Sequence, residues 1–182
     1  MISPSRRRTM TSQGTDRRQF LMTDNNFVDW KGNAFAVIER PRWSFRNMFR
    51  SSVPAIRVLA PEGSLLFQMP QQRTRDIDLL PVEDASGNRI TALRRTGRKG
   101  LTTNLFQVVD PNDEPFGTIQ GDFTYTSFKV IDSNGTPIGH ISEGSGMTTI
   151  QSPDDSERWR YSLMALAIAA EIAAELQALR SH

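Results

Sequence analysis

The chain has 182 residues, a hydrophobic fraction of 37% with 10 Phe and 3 Trp, and a formal net charge of +2, which suits one globular domain with a substantial core. It contains no Cys, so disulfide scaffolds, thiol nucleophiles and Cys-ligated zinc are excluded. Of the 22 basic residues only Lys31, Lys99 and Lys129 are not Arg, a bias that suits bidentate phosphate contacts and equally a biased genome.

At the N-terminus, residues 1–18 carry Arg6, Arg7, Arg8, Arg17 and Arg18 against Asp16 alone, five charges less one, or +4, which leaves the rest of the chain at −2. The basic balance therefore gives no argument for nucleic-acid binding by the folded part, and only the tail offers one. Rich in Ser, Thr and Arg without apolar periodicity, residues 1–26 are predicted to be a disordered basic tail, followed by a single domain over 27–182. Asp16-Arg17-Arg18-Gln19-Phe20-Leu21 imitates a twin-arginine export signal. Such a signal needs an apolar stretch of about 7 to 15 residues after it, whereas this chain continues Met22-Thr23-Asp24-Asn25-Asn26. A cytoplasmic protein is expected.

Next comes a cationic segment, Arg40-Pro41-Arg42-Trp43-Ser44-Phe45-Arg46-Asn47-Met48-Phe49-Arg50, with no acid before Arg57. Arg interleaved with aromatics suits lipid headgroups or base stacking. It also suits strands whose Trp43, Phe45 and Phe49 enter the core while Arg side chains snorkel. A second cluster is Arg89, Arg94, Arg95, Arg98 and Lys99. Its portion Arg94-Arg95-Thr96-Gly97-Arg98-Lys99-Gly100 reads as an exposed turn and as the better anion site. The candidate anionic-ligand residues are thus Arg40, Arg42, Arg46, Arg50, Arg94, Arg95, Arg98 and Lys99.

Across the middle of the chain one pattern recurs four times: an apolar strand, a tight turn, and a second strand. The turns open at Ala60, Asp84, Asp110 and Asp132, spaced 24, 26 and 22 residues apart. An Asp at the entrance accepts a bond from a backbone amide two residues on, and a following Gly supplies the positive φ of the reversal. This marks a serial hairpin array. In Phe128-Lys129-Val130-Ile131, Phe128 and Val130 share one face and Lys129 the other, with Ile131 beside Lys129, so the outer face is partly covered. Asp132-Ser133-Asn134 imitates the start of a calcium loop with Glu143 at the twelfth position, but the sixth position, which needs Gly, is Pro137. An Asx turn without metal is predicted there.

Ser152-Pro153-Asp154-Asp155-Ser156-Glu157 is a helix-start signature, and a helix over about 155–180 follows. From Trp159 to Arg180 there is no Gly or Pro, and at 1.5 Å per residue the segment extends for roughly 33 Å. Leu163, Leu166, Ile168 and Ile172 point in several directions, so the helix must be enclosed on nearly all sides. The apolar run over residues 163–170 is too short for a membrane span, which needs about 20 residues. Glu171 and Glu175 beyond it could serve as a paired acid and base, but the expected role is to lie near a barrel opening or to pair with Arg.

Chemistry is sparse. His140 lies in a strand and His182 at the terminus, so no catalytic triad or metal spacing arises. Gly117, Gly121, Gly135, Gly139, Gly144 and Gly146 lack the strand-to-helix setting of a phosphate loop and suit turns and tight barrel corners. No enzyme, metal or cofactor is expected.

Val130-Ile131-Asp132-Ser133-Asn134-Gly135-Thr136-Pro137-Ile138-Gly139-His140-Ile141, its partner from Val108-Val109-Asp110 to Phe116-Gly117-Thr118-Ile119, and the helix from Trp159 to Ile172 together resemble the Tubby-like fold. Within it they are similar to the LURP-one-related and phospholipid scramblase branch. The resemblance covers about residues 34 to 180. It implies a mainly β protein, a closed antiparallel barrel of about twelve strands around a central C-terminal helix, with association to membrane phospholipids among the family's roles. The Cys cluster, Pro-rich N-terminal segment and acidic calcium segment of scramblases are absent, so lipid scrambling is not carried over. The expected function is a non-enzymatic module that binds anionic phospholipids peripherally. A protein-interaction module without a ligand is the alternative, and nucleic-acid binding through the Arg tail is the weaker third reading.

Overall fold

A computed structural model describes residues 18–40, 52–53, 55–70, 72–73, 79–99, 103–122 and 124–180, with the side chains of 52, 53, 72, 73, 98, 99 and 175–180 left aside. The strands are β1 (Gln19–Thr23), β2 (Asn26–Asp29), β3 (Ala34–Glu39), β4 (Ser52–Val53), β5 (Ile56–Leu59), β6 (Leu65–Met69) and β7 (Gln72–Arg73). They continue as β8 (Leu79–Glu83), β9 (Arg89–Lys99), β10 (Thr103–Val109), β11 (Pro115–Asp122), β12 (Ser127–Ile131), β13 (Pro137–Gly144) and β14 (Met147–Gln151), and the chain ends in α1 (Glu157–Arg180). Twelve strands close an antiparallel barrel in the order β1-β14-β13-β12-β11-β10-β9-β8-β6-β5-β3-β2, while β4 and β7 pair separately. The mainly β barrel with a C-terminal helix is therefore as expected.

The helix occupies the interior. Leu163, Met164, Ala165, Leu166, Ala167 and Ile168 cover more than a full turn, and none is more than 2% exposed. Removing so much apolar surface from water on every side requires a closed wall. That wall is the alternate residues of the strands: Phe27, Val58, Phe67, Val82, Val108 and Val130 are each 0% exposed. Phe128 faces in, Lys129 is exposed and Ile131 is half-buried, as the alternation predicts. Two hydroxyls inside the core each meet a backbone carbonyl: Ser162 Oγ donates to the Arg158 carbonyl at 2.6 Å and Thr91 Oγ1 to the Val109 carbonyl at 3.0 Å, with the two oxygens 3.1 Å apart. No helix among the described residues is long and apolar enough to cross a membrane.

Three expectations need correction. The barrel begins at Gln19, inside the segment assigned to the tail. Phe20 and Met22, 2% and 4% exposed, alternate with the less buried Gln19, Leu21 and Thr23, and β1 closes the barrel against β14, with Phe20 opposite Ile150. Five residues of alternation within polar sequence are too brief to register without their distant partner. Residues 94–99 form no turn but the second half of β9, paired to β10 with a register shift. Basic residues tolerate a strand whose outer face meets water.

The glycines also divide. Gly135 and Gly146 sit in turns with φ of 79° and 76°, but Gly117, Gly121 and Gly139 lie in strands, where they make room for bulky neighbours. A Cβ on Gly117 would lie 2.2 Å from Trp159 Cη2, one on Gly121 2.6 Å from Phe128 Cδ1, and one on Gly139 2.6 Å from the Gln151 carbonyl oxygen. Gly117 lets the indole enter between wall and helix, where it meets Phe116 edge-on at 5.2 Å between ring centres.

Candidate functional site

Because every barrel neighbour is antiparallel, connections alternate between two ends. One end carries the turns after β2, β5, β8, β10 and β12, together with the start of α1. The other carries the connections after β1, β3, β6, β9, β11 and β13.

The first, or turn, end repeats one geometry five times. In residues 29–33, 60–64, 84–88, 110–114 and 132–136 the first amide donates to the fifth carbonyl at 2.8 to 3.0 Å, and the fourth amide donates to the first carbonyl at 2.8 to 3.1 Å. The fourth residue has positive φ: Gly32 85°, Gly63 92°, Gly87 79°, Asp113 67° and Gly135 79°. In the four turns opened by Asp, its Oδ1 accepts the third and fifth amides at 2.8 to 2.9 Å. Asp132 therefore makes the expected Asx turn. The Asp29 turn escaped the sequence reading although Asp29-Trp30-Lys31-Gly32-Asn33 repeats the spacing of Asp84-Ala85-Ser86-Gly87-Asn88. The Asn33 side chain above all holds the Asp29 carboxyl below its ordinary pKa, and the Asn88 amide does the same for Asp84. Among the described residues no group of three or more His, Cys, Asp or Glu could hold a metal ion.

The second, or open, end receives the cationic segments at their anchors. Arg40 follows β3, Arg73 ends β7, and Lys99 ends β9. Arg42, Arg46 and Arg50 lie outside the described residues, and of Arg98 and Lys99 only the backbone is described. The remaining candidates are separated by their partners. Arg40 donates to Glu171 of the helix in an ion pair whose side chains are 18% and 31% exposed, as expected for a carboxylate at a barrel mouth. Arg94 reaches back along the outer wall to Asp113 at 2.9 Å, where Arg89 also binds at 3.0 Å. Arg95 stands opposite Phe106 in the ladder, which puts it on the inner-facing side.

Between helix and wall at this end lies a cavity of about 260 Å³. Met22, Ile141, Ala167 and Ala170 form its apolar floor, Tyr125 and Met147 stand at its edge, and Asp24, Glu143 and Glu171 supply carboxylates. The connection holding Tyr125 is fixed by Asp122, whose carboxylate accepts the Thr126 amide at 2.9 Å and hydroxyl at 2.8 Å. Burial raises the Asp122 pKa, but the hydrogen bonds, led by Thr126, outweigh it and the carboxyl ends below its ordinary range. The floor and edge come from β1, β13, β14, α1 and two connections. No local motif in the sequence could have gathered residues so far apart.

No family model and no curated protein matches this chain. Among solved structures, an X-ray structure of a protein from Arabidopsis thaliana aligns over 91% of this chain and 94% of that one, with 12% identity and a TM-score of 0.46. A likeness that slight carries no argument about function.

Proposed function

We propose that the protein is a non-enzymatic, Tubby-like binding module similar to the LURP-one-related and scramblase branch, and that it attaches peripherally, on the cytoplasmic side, to anionic phospholipid surfaces through the open end. One observation supports the reading: charge is unevenly divided along the barrel axis, acids outnumbering Lys31 and Arg89 in the turns of one end and the cationic segments being anchored at the other, where Asp24, Glu143 and Glu171 also stand. The turns of one end hold Asp29, Glu62, Asp84, Asp110, Asp113, Glu114 and Asp132, and α1 starts beside them after Asp154 and Asp155. The anchors of the segments bearing Arg40, Arg42, Arg46, Arg50, Arg73, Arg98 and Lys99 lie at the other end. Such a molecule aligns in the field of an anionic surface with its cationic end toward it.

With Arg40 tied to Glu171 and Arg94 to Asp113, we assign the phosphate contacts to Arg42, Arg46, Arg50, Arg98 and Lys99. Each contributes about 1 kcal/mol near such a surface and is screened within about 8 to 10 Å. The test is co-sedimentation of the chain lacking residues 1–17, which keeps β1 whole, with phosphatidylserine vesicles and with neutral ones. Binding to the acidic vesicles alone, falling with salt and lost when these five residues become Ser, is the expected result. Indifference to acidic vesicles at low salt ends the lipid reading. It would favour the protein-interaction alternative, which has its own support in Trp30, 67% exposed at the turn end, since aromatic side chains are enriched at protein interfaces.

A further inference from the structure

We propose that the cavity at the open end is a binding site for a small alkylammonium, an organic cation carrying a short apolar portion. The proposal stands apart from the lipid reading, because it rests on a concave site of opposite charge rather than on the cationic segments.

The void has a structural origin. Through most of its buried length α1 fills the barrel with Leu163, Met164, Leu166 and Ile168, but toward the open end it presents Ala167, Ala170 and Ala174 to β1 and β13. Three methyl groups cannot fill the space that Leu or Ile would occupy, and about 260 Å³ is left beside the helix. That is just under the range of about 300 to 1,000 Å³ typical of small-molecule sites, so the occupant has few heavy atoms. Its floor is apolar and little exposed: Ala167 is 1% exposed, Ile141 2%, Met22 4% and Ala170 8%. An apolar chain laid there loses its hydration without displacing any polar partner.

The sign of the polar portion follows from the rim. The lining contains Asp24, Glu143 and Glu171 and no Lys, Arg or His. Arg40 neutralises Glu171 from outside the lining, whereas no side-chain bond engages Asp24 or Glu143 among the described residues. Two uncompensated carboxylates over an apolar floor disfavour an anion and favour a cation. Tyr125 lines the same site, and its ring is packed against Phe128 at 6.4 Å between ring centres. An aromatic face beside carboxylates is the setting in which ammonium groups gain cation–π attraction on top of ion pairing. An anchored ring also loses little freedom when a ligand arrives. The ammonium is supplied either by a free amine or by the headgroup of an ethanolamine phospholipid, and the chemistry at the site is the same.

Titration of the full chain with butylammonium, choline and, as controls, butyrate and butanol, followed by calorimetry and thermal shift at pH 7, tests this. Vesicles of phosphatidylcholine with and without phosphatidylethanolamine form the second arm. Saturable binding of the ammonium compounds with no response to butyrate is expected. Weakening by about tenfold in Asp24→Asn/Glu143→Gln, two exposed positions whose neutralisation leaves the core alone, is expected with it. Ala170→Phe, which fills the cavity, should abolish binding, and the double variant keeps the test valid should that one fail to fold. Response to soluble cations assigns a free amine. Response only to ethanolamine vesicles, lost in the double variant, assigns a headgroup. Indifference to both, equal binding of butyrate, or binding that the double variant leaves unchanged would overturn the site.

Discussion

The two ends of the barrel are built by different means. At the turn end five connections share one hydrogen-bond scheme, each completed within five residues of sequence. At the open end an ion pair joins Arg40 to Glu171 across 131 positions of sequence, and the cavity is assembled from strands, connections and helix at once. Local closure repeats cheaply because the entropy of each turn is offset by bonds inside that turn. Non-local closure is free to differ at every connection, which is why the cavity and the Arg40–Glu171 pair occur at the open end while the turn end stays uniform.

The largest effect should come from breaking the non-local side. Arg40→Ala leaves Glu171 partly buried without its partner, with an expected loss of about 1 to 3 kcal/mol, between the values for exposed and buried pairs. A double-mutant cycle with Glu171→Ala should return a clear coupling energy, since the residues share one interaction. Zero coupling in denaturant unfolding would show that the mouth is held by something else.

At the turn end the losses should be smaller and independent. Asp132→Ala removes an acceptor for two amides, and about 0.5 to 2 kcal/mol is expected by analogy with helix caps. Because each turn closes on itself, combining it with Asp110→Ala should give a sum within about 0.5 kcal/mol of the separate effects. Calcium should change none of these values, and calcium-dependent stabilisation that vanishes in Asp132→Ala would remove the distinction between the ends. Acid supplies a second check. The folded pKa values of Asp29 and Asp84 lie below ordinary values, so their contribution is present above the unfolded carboxylate pKa near 4 and lost as pH falls through the folded pKa. The difference in melting temperature between Asp84→Ala and the parent should therefore close as the pH is lowered from 6 toward 2.

The smallest effect is expected where the five turns differ. Asp113 holds at φ 67° the place that Gly holds in the other four, a conformation costing an L-residue roughly 1 kcal/mol. It also receives Arg89 and Arg94, surface pairs worth about 0 to 1 kcal/mol. Asp113→Gly exchanges one for the other, so a change within about 0.5 kcal/mol is expected in urea unfolding. A loss beyond 2 kcal/mol would mean that the Arg–Asp network, and not the backbone scheme, sets this turn.

Legibility followed the same division. Asp84, Asp110 and Asp132 announced their turns because side chain, amides and the residue at positive φ lie within five positions, and Asp29 was equally readable by that spacing. Phe128 and Val130 announced their common face through strand alternation, and residues 163–172 their enclosure by being apolar all round. Arg94 and Arg95 misled, because basic residues around Gly97 look alike in a loop and in a strand wall. Phe20 and Met22 misled in the opposite sense, as their burial exists only through β14.

The sequence by itself determined the hairpins and the enclosed helix, since each is a matter of hydrogen bonds and apolar periodicity over a few consecutive residues, whereas the closed barrel entered there only as what the family resemblance implies. Only the tertiary structure decided which cations are tied to carboxylates, which glycines admit a ring, and that Asp24, Tyr125, Glu143 and Ala170 share one cavity. Those outcomes depend on barrel closure, which brings distant positions to within side-chain reach and leaves no periodic trace along the chain.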